Sequence, residues 1–326
     1  MKIGQYILSL DQGTTSSRAV LFDALGGIAG MGQREFTQIY PQPGYVEHDA
    51  VEILQTQLYA MRQAVHEAEI TAEDIAAISI TNQRETTVAW DSETGIPICN
   101  AIVGQCRRTA PECERLKAEG LEEYIHKTTG LIIDPYFSGT KMKWILDNVP
   151  KAKVLAKEHR LRFGTIDTWL IYSLTEGESY VTDVTNASRT MLFDIDRLCW
   201  DERLCAELGI PSQMLPRPVS NSEIYGCIDG AACGIPELDG VPVCGCSIPY
   251  SGGSARYGKV WEPGSRSYPA SCLPARRNSD AVRSAALYYY GKNAGCCRKY
   301  LRNSRGTAPV CHLHGMVPSG LGRQTG

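Results

Sequence analysis

Asp11 stands at the end of an alternating apolar stretch, "YILSLDQGTTSSRAVLFD", and is followed by Gln12, Gly13 and the hydroxyl side chains Thr14, Thr15, Ser16 and Ser17. A carboxylate, a glycine and a run of hydroxyls in that order suit a grip on an anion and a cation together. Gly13 lets the backbone turn sharply and come close to a ligand. The N–H groups and hydroxyls of Thr14, Thr15 and Ser16 can then wrap phosphate oxygens, and Arg18 lies close enough to reach one. Asp11 can hold Mg2+ through water, since that ion keeps most of its hydration shell. The same residues also read as a polar hairpin with a Thr/Ser turn, and this stretch alone leaves both readings open.

Two further stretches carry chemistry. In "TNQRETTVAWD", Arg84 and Glu85 follow a buried apolar run, which sets a cation and an anion at the carboxyl end of a strand. Ligands bind at that end in open α/β sheets. A carboxylate can accept from two neighbouring hydroxyls while a guanidinium donates to a third oxygen, an arrangement suited to a small polyol. The alternative is a surface ion pair. In "GLIIDPYFSGTKMKWIL", Asp134-Pro135 makes a turn that holds Tyr136 before a helix capped near Ser138. The phenol can bond a ligand hydroxyl or simply pack. Arg107-Arg108 reads as a solvated helix start.

The elements that must position these residues follow from periodicity. Residues 6–10, "SRAVLFDALG" and "IAGMGQREF" make a three-stranded antiparallel meander whose first turn holds the hydroxyls. Asp49 caps a helix running to about Glu69, with Val51, Leu54, Leu58, Met61 and Val65 on its apolar face. Residues 75–83 form a near-continuous apolar run of the kind found in buried parallel strands. A hairpin turns around Glu93-Thr94-Gly95, helical patterns cover about 109–127 and Ser138 to about Asn148, and 163–175 lead a strand or loop into a helix. Together these suggest α/β layering.

Composition sets the limits. At 326 residues the chain has room for two domains, and 43% apolar with 21% charged residues is ordinary for a globular protein. No apolar run reaches the roughly 18 residues that a membrane span needs, and the N-terminus lacks the pattern of a signal peptide, so a cytoplasmic location is expected. The 13 cysteines show no metal-ligand spacing and read as reduced, packed thiols. Charge is unevenly spread: residues 247–326 hold 12 basic and two acidic side chains, and residues 1–246 hold 21 and 34. The basic segment shows no lasting helical or strand period. It is an arm for nucleic acid or acidic membrane, an unusual folded segment, or a stretch read in a shifted frame. Back-translating "SGGSARY" with one base dropped yields Gln-Ala-Ala-Ala-Leu-Gly-Met, and the shifted frame is the expectation adopted.

The motifs "LDQGTTSSRAV", "GYVEHD", "NQRETT", "TGLIIDPYFSGTKMKWILD", "FGTIDTWLIY" and "TDVTNASRTMLFDI" together resemble the glycerol kinases of the FGGY carbohydrate-kinase family, from about Tyr6 to Gly245. The resemblance implies an α/β, actin-like ATPase or ribonuclease H-like fold with a mixed sheet and flanking helices. It also implies transfer of the ATP γ-phosphoryl group to a terminal hydroxyl of glycerol, with Mg2+, giving sn-glycerol 3-phosphate and ADP. By resemblance Asp11 serves Mg2+ and the phosphates, Thr14, Thr15, Ser16 and Arg18 contact nucleotide phosphate, and Arg84, Glu85 and Tyr136 hold glycerol. Neither nucleic acid nor membrane is an implied partner, and the family is often homo-oligomeric.

Two departures stand out. Gly104 replaces the family's Trp, which packs on the carbon side of glycerol. No carboxylate lies between Asp239 and Glu262, so the general base expected near 246–252 is not found. The expected organisation is a kinase N-terminal domain over 1–246 and an aberrant, poorly ordered remnant of the nucleotide-binding domain over 247–326. The expected consequence is a chain nearly inactive in transfer, with a non-catalytic glycerol-binding module or another FGGY polyol kinase as alternatives.

Overall fold

A computed structural model of the chain describes residues 6–246. The remnant expected over 247–326, and the position of the general base beyond Cys246, lie outside the described residues.

The first three strands, β1 (Tyr6–Gln12), β2 (Ser16–Phe22) and β3 (Ile28–Glu35), form the expected antiparallel meander. β1 is buried on both faces from Ile7 onward. Leu8 and Leu10 enter the main core, while Ile7 joins a small cluster with Val20, Phe22 and Ala77. The period-two alternation of a strand produces that division. A short strand β4 (Glu47–His48) precedes α1 (Ala50–Glu67), which lies across the meander. Asp49 caps it as expected, its carboxylate accepting from the N–H of Val51 at 2.8 Å.

The expected face of α1 holds at Met61 and Val65, which are buried, and at Leu54 and Leu58, which pack against the core, but not at Val51. Ala50, Ile53, Gln57, Ala60, Met61 and Ala64 face the sheet, whereas Val51 is 40% exposed. Small residues, rather than large apolar ones, set the orientation. A Cβ placed on Gly30 would lie 2.2 Å from the carbonyl oxygen of Ala64, and one on Gly32 would lie 2.1 Å from that of Ala60. Helix and strand therefore touch backbone to backbone, which only glycine permits.

β5 (Ile75–Asn82) pairs parallel to β1, as the continuous apolar run implies. The chain then leaves the sheet. β6 (Val88–Asp91) turns through Gly95, whose φ of +64° fits a glycine, but the return arm keeps only a bridge between Trp90 and Pro97. Proline has no N–H to extend a ladder. β7 (Ala101–Ile102) pairs with β4. The helical pattern over 109–127 resolves into α2 (Ala110–Ala118) and α3 (Glu122–Thr129), broken at Gly120 with a φ of +75°. α4 (Ser138–Asn148) and α5 (Pro150–Lys157) follow, and β8 (Leu161–Gly164) pairs antiparallel with β6.

α6 (Ile166–Leu174) packs into the main core, Trp169 meeting Trp90 edge-on. The remaining elements are β9 (Val181–Asp183), α7 (Val184–Ala187), β10 (Phe193–Asp194), β11 (Cys199–Trp200), α8 (Glu202–Glu207) and β12 (Arg217–Val219). β13 (Ile224–Cys227) and β14 (Pro242–Cys246) return to complete a six-stranded mixed sheet in the order β13-β14-β5-β1-β2-β3. A second core, including Ile102, Phe137, Met142 and Phe163, lies around α2 to α5. The expected α/β class holds. Among the described residues no disulfide forms, and no helix is long and apolar enough to cross a membrane.

Candidate functional site

The parallel pair β1 and β5 ends in step, Asp11 beside Thr81 and Gln12 beside Asn82. Two polar loops therefore leave the same edge of the sheet. After β1, the Gly13 N–H donates to the Ser16 carbonyl at 2.9 Å and closes a tight turn. A Cβ on Gly13 would sit 3.2 Å from that carbonyl oxygen, so the turn favours glycine. Thr15 is exposed at the tip and Thr14 is half-buried. The Ser16 hydroxyl accepts from the Gln33 amide at 3.2 Å. Asp11 is 8% exposed, and antiparallel register sets Arg18 opposite, its guanidinium 3.6 Å from the carboxylate. Arg18 also donates to Gln33 at 3.1 Å. A carboxylate and a guanidinium at the root of a hydroxyl-bearing turn can balance a cation and an anion held together.

The loop after β5 carries Arg84 and Glu85. Glu85 is 6% exposed, and its carboxylate accepts from Nε of Arg189 at 2.8 Å. Sequence reasoning missed Arg189, which lies 104 residues away and also stacks 4.9 Å over the Phe137 ring. Burial lowers the pKa of Arg84, and the neighbouring Glu85 carboxylate opposes that shift. Tyr136 faces the same pair. Burial pushes its phenol upward and Glu85 adds to the shift. Gly104 closes the group: a Cβ there would lie 3.2 Å from the Tyr136 ring and 3.5 Å from Glu85 Cβ. Arg84, Glu85, Tyr136 and Gly104 are thus neighbours.

The Asp134-Pro135 turn works as expected, with the Asp134 carboxylate accepting from the Tyr136 N–H at 2.8 Å. Ser138 does not cap α4. Phe137 holds the cap position without a side-chain bond, and the fully buried Ser138 hydroxyl instead donates to the Glu85 carbonyl at 3.3 Å. The Arg107-Arg108 reading splits. Arg107 is exposed and pairs with Asp134 at 3.1 Å. Arg108 is buried, bound to Glu47 at 2.5 Å and set over the Tyr45 and Trp144 rings at 4.1 and 4.6 Å.

A side-chain relay joins the two loops. The Gln83 amide donates to Gln12 Oε1 at 3.0 Å, to the Gly13 carbonyl at 3.2 Å and to His48 Nδ1 at 3.4 Å. His48 Nε2 meets Gln38 Oε1 at 2.8 Å, and the Gln38 amide donates to the Thr14 carbonyl at 3.1 Å. Burial lowers the His48 pKa to about 4, so the ring is neutral near pH 7 and accepts at one nitrogen while donating at the other. These polar residues have no local periodicity that marks them. His48 and Gln83 fall within the quoted "GYVEHD" and "NQRETT" stretches, and Gln38 falls in none.

Behind the loops lies a fully buried acid pair. Asp183 caps α7, accepting from the Thr185 N–H at 2.6 Å and from the Asn186 and Asn221 amides at 2.6 and 2.9 Å. Asp167 accepts from Thr182 at 2.7 Å and from the Thr165 hydroxyl. Burial, and then the Asp183 charge, raise the Asp167 pKa to about 7. The folded chain therefore holds a proton on this pair that the unfolded chain has released. Stability from this source is complete below about pH 4 and declines as pH rises through about 7. Asp167→Asn is expected to flatten that slope and raise stability at pH 8 by on the order of 1 kcal/mol, read from urea unfolding at a series of pH values. An unchanged slope would place the proton elsewhere.

Among the described residues no group of three or more His, Cys, Asp or Glu side chains gathers to cage a metal ion. Asp11 at a strand end fits a cation that keeps its waters and takes further oxygens from a bound phosphate.

A family model described as the FGGY family of carbohydrate kinases, N-terminal domain, matches residues 6–249. Over 222 residues the chain is 59% identical to a glycerol kinase of Vibrio vulnificus (strain YJ016), and 60% identical to one of Pasteurella multocida (strain Pm70). Each match covers 68% of this chain and 44% of the relative, so the chain spans less than half the length of the curated relatives it matches. The crystal structure of Plasmodium falciparum glycerol kinase with ADP superposes with a TM-score of 0.71 at 34% identity, covering 76% of this chain and 49% of that one. A gluconate kinase from Lactobacillus acidophilus, at 24% identity and a TM-score of 0.66, shares the fold over 76% of this chain and 48% of its own. With a family model spanning the whole described fold, the chain belongs to the FGGY family of carbohydrate kinases.

Proposed function

We propose that residues 1–246 form the glycerol- and phosphate-binding domain of a cytoplasmic glycerol kinase, an ATP:glycerol 3-phosphotransferase of glycerol metabolism. The observation that carries this reading is the convergence of Arg84, Glu85 and Tyr136 at one sheet edge, tied by the Gln83–His48–Gln38 relay to the turn at Thr14. Glu85 accepts from two glycerol hydroxyls while Arg84 donates to the third oxygen, and the Tyr136 phenol bonds a hydroxyl from the facing side. Thr14, Thr15, Ser16 and Arg18 hold the nucleotide phosphates. Asp11 holds Mg2+ through water, and the ion, when bound, screens phosphate charge. The kinship at 59–60% identity with glycerol kinases favours glycerol over a longer polyol.

Transfer itself needs a carboxylate to take the proton from the attacking hydroxyl, and a second lobe to close over ATP. No Asp or Glu stands between Asp239 and Glu262. We assign residues 247–326 to an aberrant remnant and this chain to glycerol binding with little or no transfer. Turnover with glycerol, ATP and Mg2+ is expected at least about 10²-fold below that of an intact glycerol kinase; turnover near the intact enzyme's overturns this assignment. Calorimetry with glycerol tests the binding half, with saturation in the native chain and none in Arg84→Ala. Equal heats from both proteins would remove Arg84 from the site.

Gly104 gives a separate prediction. A side chain there meets Tyr136 and Glu85 within 3.5 Å, and an indole adds an apolar wall for the carbon side of glycerol. Gly104→Trp is expected to tighten glycerol binding about tenfold, less than full aromatic burial would give because the cleft is wet. The same titration checks it, and a weaker complex would show that Tyr136 cannot yield to the ring.

A further inference from the structure

Lys141 sits in the first turn of α4, and its side chain is fully buried. Two physical costs attach to that placement. An ammonium removed from water loses its hydration, and a cation near a helix N-terminus opposes the helix dipole. Neither cost is explained by packing, because an apolar side chain of similar length fills the same volume with neither penalty. The ammonium's contacts give the reason. Nζ donates to the Glu85 carbonyl at 2.8 Å and to the Tyr136 carbonyl at 2.5 Å. These are the backbones of the two residues whose side chains take glycerol hydroxyls in the reading above, and they lie 51 positions apart in the chain.

We propose that Lys141 is a positioning residue of the polyol site, an internal clamp that fixes the distance between the Glu85 carboxylate and the Tyr136 phenol by bonding both backbones. The inference rests on the glycerol-binding reading of that site. The Ser138 hydroxyl reaches the Glu85 carbonyl more loosely, at 3.3 Å, so Lys141 is the tighter of the two ties. Lys141 does not touch the ligand; it acts through the two loops it joins.

The clamp also carries a pH signature. Burial lowers the Lys141 pKa to about 7, with the Glu85 carboxylate opposing and with Cys106, Asp134 and Arg108 as the other charged or titratable groups facing it. As pH rises through 7 the ammonium becomes an amine, its bonds to the two carbonyls lose their charge assistance, and the pocket loosens. Glycerol affinity of the native chain is therefore highest on the acid side.

The test is calorimetric titration of glycerol into the full chain between pH 6 and 8.5, for the native protein, Lys141→Met and Asp167→Asn, with folding followed by circular dichroism. Native affinity is expected to fall severalfold across that range. Lys141→Met is expected to bind about tenfold or more weakly at pH 6 with a flat pH profile. Asp167→Asn removes the other buried side chain whose pKa is shifted to about 7, in its case upward, and is expected to keep the native profile. If Lys141→Met binds glycerol as the native chain does, the clamp is refuted while the polyol site stands. If Lys141→Met does not fold, the native and Asp167→Asn profiles decide: a flat native profile, or one abolished in Asp167→Asn, overturns the proposal. A native chain that binds no glycerol at any pH refutes the glycerol reading itself, and the clamp with it.

Discussion

Glu85→Gln is expected to weaken glycerol binding by at least about 10²-fold and to cost the fold about 1.5–3 kcal/mol. Glu85 is 6% exposed, and its carboxylate accepts from Arg189 at 2.8 Å. The amide keeps the shape but presents NH2 donors where the carboxylate accepts on every side. One amide group then faces either the Arg189 guanidinium, which also only donates, or a glycerol hydroxyl that has lost its acceptor. The guanidinium of Arg84, held charged against burial by Glu85, loses its nearest anion. Truncating one partner of a paired, desolvated charge is costly chiefly because the other is left behind. Arg189 is only partly buried, 26% exposed, so water softens the stability term. Binding takes the larger loss. Calorimetry reads the affinity and urea unfolding the stability; an unchanged dissociation constant would place glycerol away from Glu85.

Gly32→Ala is expected to destabilise the domain by about 3 kcal/mol, at the upper end for overpacking, and to lower Tm by roughly 6–12 °C for a domain of this size. The added methyl would lie 2.1 Å from the Ala60 carbonyl oxygen and 2.8 Å from Gln63 Cβ. Backbone cannot rotate away as a side chain can, so α1 must lift from β3. Gly30→Ala meets the Ala64 carbonyl oxygen at 2.2 Å and should behave alike. Gly95→Ala is the control: its Cβ meets nothing within 4 Å, so only the left-handed φ of +64° resists, at about 1 kcal/mol. Thermal melts of the three proteins distinguish close approach from backbone conformation. A Gly32→Ala protein as stable as Gly95→Ala would contradict the backbone contact.

Where chemistry and periodicity are local, the sequence was a good guide. The alternation of β1, the continuous apolar run of β5, the Asp49 cap and the span of α4 follow from neighbouring residues. Asp11 at a strand end before a glycine is equally local, and Arg18 falls opposite it by antiparallel register alone. The buried face of α1 was legible only in part: Met61 and Val65 are buried as expected, but hydrophobicity marks large side chains, while the closest contact with β3 is made by Gly30, Gly32, Ala60 and Ala64. Arg108 was misread because its charge suggests water; Glu47 and two aromatic faces replace it. Arg189, Lys141 and His48 were missed for one reason. Each acts on a residue or relay far away in the chain, and their meeting depends on tertiary packing rather than on spacing. Resemblance supplied roles for single residues but not the ties between them.

The measurement that bears most directly on the central claim is a crystal structure of the chain grown with glycerol. One glycerol is expected beside Gly104, with hydroxyls on the Glu85 carboxylate, the Arg84 guanidinium and the Tyr136 phenol. Glycerol bound elsewhere, with these three side chains untouched at saturating concentration, would contradict it.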